Sequence, residues 1–395
     1  MKQTGDLFLV KKINKSIVLD TIRARSPISR AKVSESTGLN KTTVSSLVNE
    51  LIDEHLVHEM GPGESSGGRK PLMLLFNDQA GYAIGIDVRI DSVSAVLTDL
   101  KGAIKDRCFF KLSSAEPQHV SSIIARSVRE LSARAPESPY GVVGVGVGVP
   151  GIVDEQGSVL FAPNLHWSNV PLQQMLMDEL QLPVVIDNEA NAGAVGEHKF
   201  GAVQDTQNLL YISVSHGIGT GIIMGGHLYR GSSGFAGEAG HFSIKLDGAD
   251  CSCGNKGCWE LYASENALLS AASSLESVQA LTGHGPVTLE ELIGLAEQGD
   301  PDILEIMNSA GHHLGIGISN LINLFNPERV IIGNRIALTE PWIAKSLYDT
   351  VKERSLSFHY ARVSLEISRL HLDSGVLGAA SFALQNFFAK TQISL

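Results

Sequence analysis

The sequence predicts a small helical head followed by a larger α/β body. Over the first 60 residues, apolar side chains recur at helical spacing, which is typical of short packed helices. Beyond residue 80, helical segments alternate with strand-like apolar runs, the pattern of an α/β fold. The length of 395 residues also exceeds what a single core normally holds. The strand-like runs are 83–88, 142–149, 183–186, 209–214 and 329–332.

Charge divides the chain in the same way. Residues 1–80 contain 11 of the 31 Lys and Arg residues and 9 of the 42 Asp and Glu residues, so this part is slightly basic. The rest contains 20 basic and 33 acidic residues, and it accounts for the overall net charge of −11. Because an acidic surface disfavours nucleic acid, any contact with DNA is expected at the head alone.

Composition narrows the class of protein further. A hydrophobic content of 43% with 18% charged residues indicates a folded globular chain. The first 15 residues are polar and lack the apolar core of a signal peptide. No run of about 20 apolar residues is present, so we expect a cytoplasmic protein without a membrane partner.

Three helices are predicted in the head. Ile17, Val18 and Ile22 form an apolar stripe on the first helix, which Pro27 ends. Ser29 is placed to cap a short second helix that runs through Glu35. A turn at Gly38 then leads to a third helix with Asn40 as its N-cap. The apolar face of this third helix comprises Val44, Leu47, Val48, Leu51 and Ile52.

A hairpin is predicted after the three helices. Strand-like segments at 57–60 and 72–76 flank a loop rich in Gly and Ser at 61–68. Three helices followed by a hairpin are the order of a winged helix-turn-helix. We therefore assign residues 1–79 to a DNA-binding domain of this type.

The DNA-contacting residues follow from that assignment. A helix-turn-helix places the start of its recognition helix, which here is the third helix of the head, in the major groove. Short hydroxyls and a cation at that position suit base edges and phosphates. A small helical protein-interaction domain is the alternative, but the hydroxyl-rich helix start, the Gly turn and the basic wing favour DNA. We expect contacts from Lys41, Thr42, Thr43, Ser45 and Ser46, from Ser29 and Arg30, and from the wing residues Arg69 and Lys70.

Three cysteines near the middle of the body indicate a metal site. Cys251, Cys253 and Cys258 lie within eight residues, with two glycines between them to bend the backbone. His241 is the nearest upstream imidazole and completes a Cys₃His set for Zn²⁺. Four protein ligands would close the site, so its role would be structural. The alternative is a metal-free cysteine loop, whereas Cys108 is expected to be an inert buried thiol.

Taken together, these motifs resemble the ROK family of repressors and sugar kinases, almost from end to end. Within the family the chain is most similar to the repressors of xylose operons, on segments 27–32, 38–41 and 65–69. The resemblance implies an actin-like ATPase fold with two lobes and a sugar in the cleft between them. The first lobe would span 80–190 and be joined by a C-terminal helix at 373–392, and the second lobe, with the zinc site, would span 191–372. The family motifs lie at 148–151, 188–192, 215–221, 237–241, 251–260 and 326–328.

The resemblance also implies a set of sugar-binding residues. Sugars are held by converging carboxylates and amides, and His241 would serve both the metal and the sugar. Asn164 could instead be an ordinary turn residue, and Glu238 and Glu260 could be solvated carboxylates. The expected set is Asn164, Asn188, Glu189, Glu238, His241 and Glu260.

Two departures from the family pattern argue against kinase activity. Arg89 and Ile90 stand where the kinases have glycine, and Asp91 stands where they have threonine, so backbone groups could not approach a phosphate closely. Glu189 replaces the aspartate that serves kinases as the base, which adds one methylene. We therefore expect no enzymatic activity.

The predicted function is a sugar-responsive transcriptional repressor. Its partners would be an inverted-repeat operator and a sugar, either xylose or glucose, and the chain would form a homodimer or a tetramer. A sugar kinase with an accessory DNA-binding head is the rival from a different class. An activator built from the same parts is a second alternative.

Overall fold

The computed structural model describes residues 7–62, 72–202, 206–283 and 285–392. It has mixed α/β architecture with a helical N-terminal head, as the sequence predicts. No helix among these residues combines the length and the apolar character needed to cross a membrane.

The head contains three helices and a three-stranded sheet in the order β1-β3-β2. Ser29 caps the second helix by accepting a hydrogen bond from the Lys32 amide, and Asn40 caps the third by accepting one from the Thr43 amide. Both predicted caps are therefore present. The elements are α1 (Leu7–Arg25), β1 (Ile28–Ser29), α2 (Arg30–Thr37), α3 (Lys41–Asp53), β2 (Val57–Pro62) and β3 (Leu72–Phe76).

One detail of the first helix differs from the prediction. Val18 and Ile22 are buried as expected, but Ile17 is 41% exposed and Leu19 takes its place in the core. The prediction was therefore wrong at Ile17 alone, because only the packing of α1 on the other helices fixes which residues at the edge of the stripe face inward.

The first part of the body is built on a five-stranded sheet in the order β11-β7-β4-β5-β6. Its β4, β7 and β11 strands are parallel, so their carboxyl ends share one edge. A small sheet of β8, β9 and β10 extends this edge. The elements are β4 (Tyr82–Val88), β5 (Ser92–Asp99), β6 (Ile104–Lys111), α4 (Pro117–Arg134), β7 (Val142–Val149), β8 (Ile152–Val153), β9 (Val159–Ala162), β10 (Trp167–Val170), α5 (Leu172–Leu180), β11 (Val184–Asn188) and α6 (Glu189–Phe200).

A second five-stranded sheet, in the order β14-β13-β12-β15-β16, forms the centre of the remaining body. The long C-terminal helix α14 returns to pack on the first sheet. The elements are β12 (Leu209–Val214), β13 (Ile218–Met224), β14 (His227–Leu228), α7 (Glu260–Ala263), α8 (Glu265–Ala272), α9 (Glu276–Thr282), α10 (Leu289–Glu297), α11 (Pro301–Phe325), β15 (Arg329–Gly333), α12 (Glu340–Arg354), α13 (Ser357–Tyr360), β16 (Ser364–Ile367) and α14 (Asp373–Gln392).

Segment 274–300 is more polar than its surroundings, which favours a surface excursion, but in the structure it contributes to the core. Its two helices, α9 and α10, bury Val278, Leu289 and Leu292 in the cluster beneath the second sheet. Their polar faces dominate the composition, which concealed the apolar stripe. The predicted lobe boundary at 190/191 falls within α6 and stays a prediction.

Candidate functional site

A cavity of about 210 Å³ opens between the two large sheets. The turns that follow β4, β11 and β12 all contribute to its wall, since the carboxyl ends of these strands face the same crevice. The six residues predicted to bind sugar, which are distant in sequence, all line this one cavity: Asn164, Asn188, Glu189, Glu238, His241 and Glu260. Their role in sugar binding stays a prediction.

Asn188 and Glu189 mark the point where β11 ends and α6 begins. The Asn188 side-chain oxygen caps α6 by accepting hydrogen bonds from the amides of Ala190 and Asn191. Its Nδ2 donates to the Gly151 carbonyl at 3.0 Å and to Glu189 Oε2 at 2.9 Å. The carboxamide therefore holds both the helix start and the neighbouring carboxylate in place.

Glu189 lies in an environment that disfavours its charged form. Removal from water by the cavity walls and, to a lesser extent, the negative charges of Glu238, Asp87 and Asp187 together raise its pKa to about 8. A hydrogen bond from its own backbone amide opposes the rise only in part. At neutral pH this carboxyl group is largely protonated and can donate a hydrogen bond.

The glycine-rich turn before and within β13 (218–224) packs against these acidic groups. A Cβ atom on Gly217 would lie 2.8 Å from Glu260 Oε2, and one on Gly219 would lie 3.3 Å from Glu189 Oε1. A side chain at either position would press on one of the two carboxylates. These contacts account for the two glycines without a phosphate.

The remaining acidic residues of the cavity are fixed by short turns. Glu238 precedes a 3₁₀ turn at Ala239–His241, and Glu260 begins α7. Glu238 borders the open cleft, and desolvation by the surrounding walls raises its pKa. Glu260 Oε1 lies 3.4 Å from His241 Nδ1. Asn164 is exposed on a separate 3₁₀ turn at Pro163–Leu165.

The four predicted metal ligands converge below the cavity. His241, Cys251, Cys253 and Cys258 place their ligand atoms within 4.8 Å of one another. The Cys253 and Cys258 sulfur atoms are 3.7 Å apart, and Cys251 Sγ is 3.7 Å from His241 Nδ1. Two thiolates on one tetrahedral Zn²⁺, each bonded at about 2.3 Å, would be separated by about 3.8 Å. The donor set and the spacing therefore fit a closed tetrahedral metal site.

Backbone geometry explains how a short segment can supply three ligands. Gly254 and Gly257 adopt positive φ angles of 90° and 66°, which allow the chain to reverse between the cysteines. Cys108 lies elsewhere, on β6, where it is half-buried and burial raises the pKa of its thiol. It takes no part in this cluster.

Arg89 occupies the bottom of the cleft. Its Nε donates a hydrogen bond of 2.8 Å to the buried Asp87 carboxylate, and its side chain is only 15% exposed. Arg89 is therefore not a solvated loop residue. The guanidinium fills the space next to Asp87 that a glycine at this position would leave open.

Sequence reasoning missed Asn334 and Arg335, which line the cavity from the second sheet. Asn334 has a φ of +68°, unusual outside glycine, and its Nδ2 donates to Ser213 Oγ at 3.1 Å. Arg335 pairs with the carboxylates of Glu265 and Glu290. Their position just after β15 was the available signal, because ligands bind where parallel strands end.

On the head, the start of α3 is open to solvent. Lys41, Thr42 and Ser46 are exposed, whereas Thr43 and Ser45 are half-buried. Ser29 is buried as the cap of α2. Arg30 bonds to the Ser45 carbonyl and to the side chains of Asn49 and Glu59. The wing residues Arg69 and Lys70 lie outside the described residues. Contact with DNA stays a prediction for the whole set.

Comparison with known proteins identifies relatives of the whole chain. A model described as the ROK family matches residues 83–386. The xylose repressor of Bacillus spizizenii is 44% identical over 97% of this chain and 98% of its own. A crystallised ROK family transcriptional regulator, described as a homologue of E. coli Mlc, shares 28% identity and a TM-score of 0.82 over 97% of this chain and 98% of that chain. A ROK family glucokinase from Streptomyces griseus, in complex with glucose and AMPPNP, shares 29% identity and a TM-score of 0.70 over 77% of this chain and 100% of that chain.

Proposed function

The chain belongs to the ROK family, and we propose that it is a repressor that xylose releases from its operator. The observation that carries this proposal is that one chain combines the head with the polar cleft and matches a xylose repressor along nearly its whole length. A sugar in the cleft would contact both sheets, so its binding would favour one arrangement of the two halves.

For the sugar site we propose the six cavity residues predicted from sequence. Glu189 and Glu260 adjoin the glycine-rich turn at Gly219 and Gly217 respectively, and each can take a sugar hydroxyl. The described cavity also contains Phe161, an exposed aromatic ring that offers an apolar surface for the sugar ring.

For the metal we propose Zn²⁺, held by His241, Cys251, Cys253 and Cys258. The ion would supply no chemistry to the sugar and would act as a structural link. Since Glu260 Oε1 lies 3.5 Å from Cys251 Sγ and 3.4 Å from His241 Nδ1, the same cluster would orient two sugar-binding side chains.

We propose that the chain is not a kinase, although ROK kinases share its fold. Phosphoryl transfer depends on a site that accommodates the phosphates and stabilises their charge. The Arg89 side chain is already paired with Asp87 at the corresponding turn, which removes the open backbone that a phosphate needs.

For DNA recognition we propose that Lys41, Thr42 and Ser46 at the exposed start of α3 enter the major groove. Thr43, Ser45, Arg69 and Lys70 would support this contact. Ser29 and Arg30 would position α2 and α3, as their internal hydrogen bonds favour. Two heads of a homodimer would match an inverted-repeat operator.

Operator binding in a gel-shift assay, with and without xylose, tests the proposal. Xylose should weaken binding, and glucose and an unrelated sugar serve as comparisons. An unchanged or increased operator affinity would refute release by xylose. A parallel assay for phosphorylation of xylose and glucose with ATP addresses the rival function, and turnover there would favour the kinase.

A further inference from the structure

The head is packed against the body rather than tethered to it. One apolar cluster contains Phe76 of the wing strand together with Leu100, Val143 and Phe388 of the body. Tyr140 Oη also donates a hydrogen bond of 2.8 Å to the Glu54 carbonyl at the end of α3. The orientation of the head is therefore set by the elements on which it rests.

Helix α14 runs from the cleft to the contact between the head and the body. At its first turn, a Cβ on Gly375 would lie 3.2 Å from the Asp87 carboxylate. Near its other end, the Phe388 ring packs on Phe76 with centroids 6.3 Å apart, and the Arg23 guanidinium of α1 lies 4.7 Å above it. A helix of 20 residues spans about 30 Å, so one element joins the two regions.

Helix α6 packs against α14 and also starts at the cleft. It begins at Glu189 in the cavity and reaches Lys199 in its last turn. Burial and the positive charge of Arg23 together lower the pKa of the Lys199 ammonium to about 8. Both helices therefore start at the cleft, and α14 reaches α1 of the head.

The two helices are locked together by close backbone contacts. A Cβ on Gly378 would lie 1.7 Å from the Ala192 carbonyl oxygen, and one on Gly196 would lie 2.0 Å from the Ser374 carbonyl oxygen. Ser374 Oγ also donates to Glu197 Oε1 at 2.5 Å, inside a buried cluster. Helices packed this closely cannot slide past each other without losing their contacts.

We propose that α6 and α14 form one rigid connector that transmits sugar binding in the cleft to the DNA-binding head. The inference rests on the proposed function, because it specifies how that response travels. When the cleft closes on a sugar, the start of α6 moves with Glu189. The connector carries the displacement to Phe388, and the head changes its orientation on the operator.

The test loosens the connector without touching the sugar or the DNA contacts. Phe388→Leu removes the ring between Arg23 and Phe76 while keeping an apolar side chain. Phe358→Leu is the matched control, because Phe358 is 84% exposed on α13. Gly378→Ala inserts a methyl group between the helices, and Gly294→Ala on α10 is its control, since nothing lies within 4 Å of that position.

Three quantities are measured on each full-length protein: xylose affinity by calorimetry, operator affinity without xylose, and operator affinity with saturating xylose. The operator affinity without xylose, divided by the operator affinity with saturating xylose, reports the coupling between the sugar site and the DNA site. We expect Phe388→Leu and Gly378→Ala to lower this ratio by about threefold or more, while xylose affinity in Phe388→Leu stays near wild type. Both control variants should keep the wild-type ratio.

The inference is overturned if both connector variants fold, bind both ligands and keep the wild-type ratio. If a thermal melt shows that one of the two connector variants does not fold, the coupling ratio of the other variant tests the inference. A wild-type protein that does not respond to xylose would refute the proposed function itself, which is a separate result.

Discussion

The Arg89 Nε atom donates a hydrogen bond of 2.8 Å to Asp87 Oδ2 at the bottom of the cleft, where both side chains are largely shielded from water. Removing one member of such a pair leaves a buried charge without its partner, which is more costly than losing a surface ion pair. Arg89→Ala should therefore lower the free energy of unfolding by about 3 kcal/mol, as measured by urea denaturation.

The control for this variant is Lys345→Ala, which removes an exposed ion pair with Asp349 on α12. Its effect should be much smaller, because water screens an exposed ion pair. The double variant Arg89→Ala with Asp87→Asn should recover part of the free energy of unfolding that Arg89→Ala alone loses. Equal effects of Arg89→Ala and Lys345→Ala would contradict a buried pair.

Glu189 predicts a specific dependence of stability on pH. Because its folded-state pKa is raised from 4.5 to about 8, the folded protein holds a proton that the unfolded chain releases. The stabilisation that this proton gives the folded state is complete below pH 4.5 and is lost as the pH rises through 8. Relative to Glu189→Gln, the wild-type free energy of unfolding should fall between pH 5 and 8, as measured by urea denaturation at each pH. Parallel curves for the two proteins would show that Glu189 is not the titrating group.

The metal cluster predicts one zinc ion per chain, measured by elemental analysis of the purified protein. Cys253→Ser removes one of four ligands and should lower zinc affinity and the melting temperature, because the loop would lose its central link. It should also weaken xylose binding, since His241 and Glu260 adjoin the cluster. Cys108→Ser, on a strand away from the cluster, should retain the metal. Full zinc content in Cys253→Ser would contradict the ligand set.

Lys41 at the exposed start of α3 predicts a change in the salt dependence of operator binding. Lys41→Ala should weaken binding to specific and nonspecific DNA alike and reduce the slope of log affinity against log salt by about 1. Filter binding at several salt concentrations measures this slope. Lys345→Ala, on α12 of the body, should leave the slope unchanged. The same slope in Lys41→Ala as in wild type would place Lys41 away from phosphate.

The length of the Glu189 side chain predicts sugar preference. The longer side chain would fill the space that a hexose needs for its hydroxymethyl group, so we expect the cavity to favour a pentose. Glu189→Asp should shift the ratio of glucose to xylose affinity towards glucose by about tenfold, since one methylene in a pocket is worth roughly this much. Calorimetry with both sugars on both proteins measures the ratio. An unchanged preference in the variant would reject this explanation.

Much of the fold was predictable because it depends on local patterns. Ser29 and Asn40 cap helices in the structure as the sequence predicts, and all five apolar runs named from sequence contain strands. The core position of Leu19 in place of Ile17 and the core role of 274–300 were not predictable, because both depend on which neighbouring surface covers each face.

The cysteine cluster illustrates what the sequence by itself determined. Three thiols and two glycines within eight residues restrict the backbone so strongly that the ligand group could be named from spacing alone. The resemblance to the ROK family likewise identified the six residues that line one cavity.

Only the tertiary structure decided how these parts are connected. Asp87 and Gly375 are separated by nearly 300 positions, and no local pattern indicates that α14 begins beneath the cleft and ends under the head. The pairing of Arg89, the positive φ of Asn334 and the glycine contacts between α6 and α14 are likewise long-range. They arise from packing between surfaces that the chain brings together only when it folds, which is why local sequence rules cannot predict them.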